Sequence, residues 1–270
     1  MNEILTMFSY GFIVRAFVSG LLISLCASLL GVTLVLRNNA MISDGLSHVS
    51  FGAFAIAAVF GLTPLYVAIP AAIIASIMIL RLNEGKLHGD SAIAILSSSA
   101  LAIGVTAISI GSGVNVDLNA YLFGSILSIS QSDMIVSIIV CAIVMALYVF
   151  SYNRIFALTF DRDFAKSTGM KTDRYDLILA ALASVVIVMG MRMMGALLIS
   201  SLTIFPTITS RYLAHSYKGV ICTSVVVSLI CFVIGLVLSY VYSLPTGAMI
   251  VIVNLIVLLC AMLFSTISKK

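Results

Sequence analysis

Residues 219–268 read GVICTSVVVS LICFVIGLVL SYVYSLPTGA MIVIVNLIVL LCAMLFSTIS, without one Asp, Glu, Lys or Arg. A helix needs about 20 apolar residues to cross the hydrocarbon of a bilayer. This run is long enough to cross twice, and Ser243-Leu244-Pro245-Thr246-Gly247 is the natural break between the two crossings. Working outward, residues 193–210, 134–153, 91–116, 49–80 and 16–36 are also free of charge, and 49–80 breaks at Gly61-Leu62-Thr63-Pro64. In lipid every backbone N–H and C=O must find its partner inside the segment, so these runs are helices. A β-barrel would instead show segments of about ten residues with alternating polarity. Composition agrees: 62% of residues are hydrophobic and only 9% charged, against roughly 25% charged in a soluble domain. Too little polar side chain is present to cover a water-facing surface.

The fold class expected is all-α: a polytopic helical membrane protein with eight to nine transmembrane helices in a single domain over residues 1–270. Nine spans fit best, at roughly 12–36, 45–61, 64–81, 91–111, 132–152, 177–191, 194–212, 219–241 and 247–266, and eight if an adjacent pair merges. With nine, Arg37, Arg81, Lys86, Arg154, Arg162, Lys166, Lys171, Arg174, Arg211, Lys218, Lys269 and Lys270 fall on one side, and only Arg15 and Arg192 do not. The positive-inside rule makes that side cytoplasmic. The expected placement is multi-pass in the plasma membrane, N-terminus outside and C-terminus in the cytoplasm. The first run is too long for a signal-peptide core and reads as a retained span. On the outer side, the short apolar stretch Tyr121–Ile129 reads as a re-entrant or interfacial helix. The five cysteines lie inside apolar runs without a CxxC pair and read as packing residues. Membrane lipid is the expected surround, and no nucleic-acid partner is expected.

The longest polar interval is the loop at about 153–176. Within it Asp161-Arg162-Asp163-Phe164-Ala165-Lys166-Ser167-Thr168-Gly169 reads as a short helix. Thr159 or Asp161 can cap its start, and Gly169 suits a left-handed position after its end. Phe160 and Phe164 lie four apart on one face. Such a helix suits docking into a partner's groove; a solvated connector on the membrane surface fits the same residues. No G-x-x-x-x-G-K-[ST] occurs, so ATP hydrolysis is not expected in this chain.

Ionisable residues at membrane depth are costly and are functional candidates by default. Met41-Ile42-Ser43-Asp44-Gly45-Leu46-Ser47-His48 opens the second span. Asp44 and His48 are four apart, on one helical face with Cβ atoms about 5–6 Å apart. Both could reach one ion at the ~2.0–2.2 Å typical of zinc–oxygen and zinc–nitrogen bonds. Imidazole with carboxylate suits zinc or manganese. Two ligands are too few for a tetrahedral site, and a two-fold dimer would supply the other two. Equally, Ser43 or Asp44 is an ordinary N-cap and His48 can bond a carbonyl, so the sequence leaves both readings open. Ser47, Asp117, Thr203 and Thr207 are further candidates to line a path, the last two flanking Pro206 inside a span. Met189, Met191, Met193 and Met194 around Arg192 read as packing rather than soft-metal capture.

Taken together, these residues resemble permeases of the zinc/manganese/iron family of ABC importers. Asp44-Gly45-Leu46-Ser47-His48 is similar to the D-[AG]-[LI]-S-H signature of that family. In family order follow Gly89-Asp90-Ser91-Ala92-Ile93-Ala94-Ile95, Leu122-Phe123-Gly124-Ser125-Ile126-Leu127, Asp161-x-x-Phe164-Ala165-x-x-x-Gly169, and Gly195-Ala196-Leu197-Leu198 through Phe205-Pro206-Thr207. Gly45 stands where Ala is usual, and Thr207-Ile208-Thr209 replaces a run of small residues. The resemblance covers about residues 12–265. It implies a type II-like ABC importer permease that works as a homodimer with a cytoplasmic ABC ATPase dimer and an extracellular metal-binding lipoprotein. It implies a divalent metal ion as transported substrate, zinc first and manganese or iron as alternatives, and no cofactor bound in this chain. Asp44 and His48 then become metal-path residues, and Asp161, Arg162, Phe164, Ala165 and Gly169 the ATPase-coupling element. The competing class is an ion-coupled secondary metal transporter or channel, which would need carboxylates at mid-span. An intramembrane metallo-hydrolase would need more ligands than three His and no Glu in a span provide.

Overall fold

The computed structural model of the chain describes residues 10–83, 89–111, 124 and 129–268. Its elements are α1 (Gly11–Leu36), α2 (Met41–Val59), α3 (Pro64–Asn83), α4 (Gly89–Ile110), α5 (Gln131–Phe150), α6 (Tyr152–Phe160), α7 (Arg162–Ser167), α8 (Thr172–Met194), α9 (Ala196–Leu213), α10 (Tyr217–Tyr242) and α11 (Thr246–Ser268). Eight of them are long and apolar enough to cross a membrane: α1 to α5, α8, α10 and α11.

The ninth crossing expected from sequence, 194–212, corresponds to α9. It is a helix of 18 residues, about 27 Å long at 1.5 Å per residue, yet too polar to count among the eight. Pro206 and the buried hydroxyls of Ser201, Thr203, Thr207, Thr209 and Ser210 account for this. Its neighbours α1, α2, α8, α10 and α11 make the polarity tolerable by surrounding it with protein. The second span begins four residues earlier than expected, at Met41, and α8 runs over the charged positions Asp173, Arg174, Asp176 and Arg192 at its two ends.

Small residues set the packing. α1 receives the ring of Phe232 and the methyl of Met194 against Gly20, and the carbonyl of Thr203 against Gly31. Hence α1 and α9 run in the same direction. Ser228 of α10 donates to the carbonyl of Ser24 at 3.1 Å, which with the Gly20–Phe232 contact makes α10 antiparallel to α1. α2 and α4 touch where Gly52 faces the Ala100 carbonyl and Gly104 faces Gly52, a small-residue seam of the kind that lets helix backbones approach in lipid. Gly45 belongs to the same seam: a Cβ there would meet Cγ2 of Ile93 at 2.5 Å. The Gly in place of Ala thus brings α4 in close. α2 is 72% buried over its span and α4 only 11%; α2 is an interior helix and α4 a peripheral one.

The turn from α8 to α9 depends on Gly195, whose φ of +88° and ψ of 160° suit glycine alone. α5 starts with a capping box: Ser130 Oγ accepts from Asp133 N at 3.1 Å while Asp133 Oδ2 accepts from Ser130 N at 3.2 Å.

One end of the bundle is basic. It gathers Arg37, Arg81 and Arg162 in one cleft, Arg154, Lys171 and Arg174 in another, and Arg211 with His215 in a third. The two cations that break the pattern are both satisfied at the opposite end. Arg15 Nε donates to the Ile129 carbonyl at 3.0 Å, and Arg192 pairs with Asp133 at 3.0 Å. Neither is a free positive charge, so the topological bias rests on the basic end alone. The Met cluster around Arg192 is packing: Met189, Met191, Met193 and Met194 are all buried in the core. Cys26, Cys141, Cys222, Cys231 and Cys260 are free thiols. The expected outer helix Tyr121–Ile129 falls mostly outside the described residues.

Candidate functional site

Asp44 and His48 lie in the first two turns of α2. The helix starts at Met41 with Ala40 as N-cap and no side-chain capping bond. Ser43 spends its hydroxyl on the Ala40 carbonyl at 3.0 Å. Neither Ser43 nor Asp44 is therefore a cap, because the helix begins three residues before Asp44. Nor does His48 bond a carbonyl: its Nδ1 is buried and without a hydrogen-bond partner, while Nε2 lies 3.7 Å from Asp44 Oδ2. That separation is too long for a hydrogen bond. It is close to the roughly 3.4 Å that two ligands subtend across a tetrahedral ion at about 2.1 Å from each.

The surroundings single these two residues out. From Ile42 to Ala55 every residue of α2 is buried except Asp44 and His48. Their side chains are 44% and 30% exposed, on the one open stripe of an otherwise enclosed helix. Ser200 of α9 closes part of that opening and donates to Asp44 Oδ1 at 3.4 Å. Nothing in the local sequence pointed to Ser200, which lies 156 residues away from Asp44 in the chain. Among the described residues no group of three or more His, Cys, Asp or Glu is placed to hold a metal ion.

The other path candidates are placed differently. Ser47 is buried and donates to the Asp44 carbonyl at 2.7 Å. Thr203 donates to the Ile199 carbonyl at 2.7 Å, and Thr207 to the Thr203 carbonyl at 3.1 Å. All three hydroxyls thus bond their own helices. Thr207 also lies 3.4 Å from the Ser224 hydroxyl of α10. Asp117 lies outside the described residues. Asp90 stands exposed in the first turn of α4.

At the basic end α7 forms as the sequence indicates. Asp161 is its N-cap, accepting from Phe164 N at 2.9 Å, and Gly169 takes φ +84° just beyond its end. Ala165 turns inward and is buried, whereas Phe164 is 65% exposed and Phe160 of α6 is exposed beside it. Arg162 reaches back to α8, 3.1 Å from Asp173 and 3.0 Å from Asp176. Asp176 is 6% exposed, and its second oxygen pairs with Arg37 at 2.7 Å. One buried carboxylate thus ties α7 to the end of α1. Only the turn through Asn38, whose φ is +57°, and the first residues of α2 lie between Arg37 and Asp44. Asp176 was not among the residues that the sequence singled out; its partner Arg37 is remote in the chain.

Comparison with known proteins agrees with this architecture. The ABC 3 transport family matches residues 9–265. The high-affinity zinc uptake system membrane protein ZnuB of Haemophilus influenzae is 30% identical over 88% of this chain and 91% of its own length. The manganese transport system membrane protein MntC of Halalkalibacterium halodurans is 27% identical over 95% of this chain and 88% of its own. The solved structure of PsaBC from Streptococcus pneumoniae in complex with Fab superposes with a TM-score of 0.86 at 28% identity, covering 96% of this chain and 94% of that one. With a match that runs almost from end to end, over the helices that carry its motifs, this chain belongs to the ABC 3 transport family.

Proposed function

We propose that this permease carries a divalent metal ion, zinc or manganese, inward across the plasma membrane, and that Asp44 and His48 contact the ion on its way. The observation that carries the reading is the isolation of these two side chains on the open stripe of α2, 3.7 Å apart. A carboxylate and an imidazole at that spacing are hard and borderline donors suited to first-row divalent ions. The relatives named for zinc and for manganese uptake support the substrate class. A second copy related by a two-fold axis would add a second Asp44 and His48 and bring the set to four. The basic end is then cytoplasmic, with the N-terminus outside and the C-terminus inside.

The chain lacks a P-loop, so ATP hydrolysis belongs to a separate ATPase dimer, and an extracellular metal-binding lipoprotein delivers the ion. The exposed Phe164 on α7, held by the Asp161 cap and the inward Ala165, is the surface offered to the ATPase. Arg162, Asp176 and Arg37 relay its movement to α1 and so to the start of α2. Ions would enter while the stripe opens outward and leave when the relay re-orients α1 and α2.

The test is uptake of radiolabelled zinc and manganese into proteoliposomes holding the assembled importer. Asp44→Ala and His48→Ala should each abolish uptake while the complex still assembles and hydrolyses ATP. Wild-type uptake in either variant removes the assignment. Uptake that survives inactivation of the ATPase but collapses when the membrane potential is dissipated would overturn the ATP-driven reading.

A further inference from the structure

The basic end holds two neighbouring clefts of opposite character. The first, of about 390 Å³, is lined by Arg37, Arg81 and Arg162 together with Asp173 and Asp176. Its two acids pair with Arg37 and Arg162, so most of its charge is cancelled from within. The second, of about 480 Å³, is lined by Arg154, Lys171 and Arg174, with Tyr175, Thr168 and Ile178 among its other walls and no carboxylate. Among the described residues none of its three cations is paired with an acid.

This second cleft is also ordered. The Arg154 guanidinium carbon lies 5.4 Å from the centre of the Tyr175 ring, and the guanidinium donates to the Tyr175 hydroxyl, which holds the planar group against the cleft wall. The N-terminus of α8 opens beside it, with Lys171 as N-cap and no side-chain capping bond, so the positive end of the helix dipole adds to the field. Two observations bear on the occupant. Lys171, Arg174 and Ile178 share a face of α8, and that face continues as an apolar track. Ile178 is 44% exposed, and Ala181, Leu182 and Val185 are half-buried above it. Val149 and Phe150, at the end of α5 just before Arg154, are apolar and largely exposed as well. An anion held among the cations would therefore have a partly exposed apolar helix face leading away from it. That combination fits an amphiphile better than a free ion.

We propose that the Arg154–Lys171–Arg174 cleft binds the phosphate headgroup of an anionic phospholipid, its acyl chains lying along the Ile178–Val185 face of α8. Basic pockets between transmembrane helices at the cytoplasmic side bind anionic headgroups by this chemistry. The lipid would brace α8, the helix whose first turns carry Asp176, against α6.

The experiment is native mass spectrometry of the full-length chain, delipidated in detergent and offered phosphatidylglycerol, phosphatidylcholine or inorganic phosphate. We expect one tightly retained phosphatidylglycerol per chain and weak retention of phosphatidylcholine. Retention of phosphatidylglycerol should fall by about tenfold or more in the Arg154→Gln/Arg174→Gln double variant. Arg211→Gln, at the same end but outside the cleft, should bind as the parent does. Lys171→Gln, at an exposed position, should give a smaller loss and covers the case in which the double variant fails to fold. Equal retention of both lipids, or unchanged phosphatidylglycerol binding in the variants, overturns the proposal. Inorganic phosphate that displaces the lipid at millimolar concentration would assign the cleft to free phosphate instead. Variants that keep lipid but lose the ATPase on co-purification would assign it to that partner.

Discussion

Asp44 and Asp176 are both carboxylates beside a nitrogen-bearing side chain, and the difference between them separates an open carboxylate from a structural tie. Asp176 is 6% exposed and held between two guanidiniums, at 2.7 Å from Arg37 and 3.0 Å from Arg162. Asp44 is 44% exposed, too far from His48 for a hydrogen bond, and touched by one hydroxyl at 3.4 Å. A buried carboxylate with two short cationic partners has its charge compensated and serves to fix geometry. A carboxylate on the open stripe of a buried helix, beside an imidazole with an orphaned nitrogen, still has coordination to give. Polarity within an apolar bundle is thus of two kinds, and the number of satisfied partners tells them apart.

The largest expected effect breaks the pair directly. Asp44→Ala or His48→Ala should reduce metal uptake to background while changing the thermal unfolding midpoint little, because neither residue has a strong partner to lose. Asp176→Ala comes next and should do the reverse in kind. It leaves two guanidiniums facing each other near the base of α1, so it should destabilise the chain by about 2–3 kcal/mol. That lies below the full cost of breaking a buried pair because Arg162 is 39% exposed. It should also uncouple hydrolysis from uptake, measured as ATP consumed per ion moved. Stability and coupling at parent values would remove Asp176 from the relay. Phe164→Ala is smaller for stability, within about 0.5 kcal/mol at an exposed site, yet it should raise the ATP consumed per ion severalfold. Unchanged coupling there would move the ATPase contact elsewhere on the loop. Ser200→Ala is the mildest: loss of a weak 3.4 Å bond should alter apparent metal affinity in transport by about threefold or less.

Much of the fold was legible because lipid imposes a simple rule. Charge-free runs of the right length must be helices, and eight of the nine expected spans became helices apolar enough to cross. α9 could be seen as a helix but not as an interior one; its Ser and Thr residues are tolerable only through five neighbours that no local pattern reveals. Capping chemistry is local, so Asp161 and Gly169 were readable as the ends of α7. At Asp44 the same local logic left two answers. Helix starts are poorly fixed by sequence, and a shift of three residues decides whether a carboxylate caps a helix or projects from its side. Ser200 and Asp176 were invisible for a different reason: each has a partner more than a hundred residues away, Asp44 for Ser200 and Arg37 for Asp176.

Contact between the cargo ion and the Asp44–His48 pair can be seen by X-ray absorption at the zinc edge of the assembled, zinc-loaded importer. The parent complex should show imidazole scattering with nitrogen and oxygen neighbours at about 2.0–2.2 Å, and His48→Ala should lose the imidazole signature. An identical spectrum in His48→Ala, with the same zinc content, would contradict it.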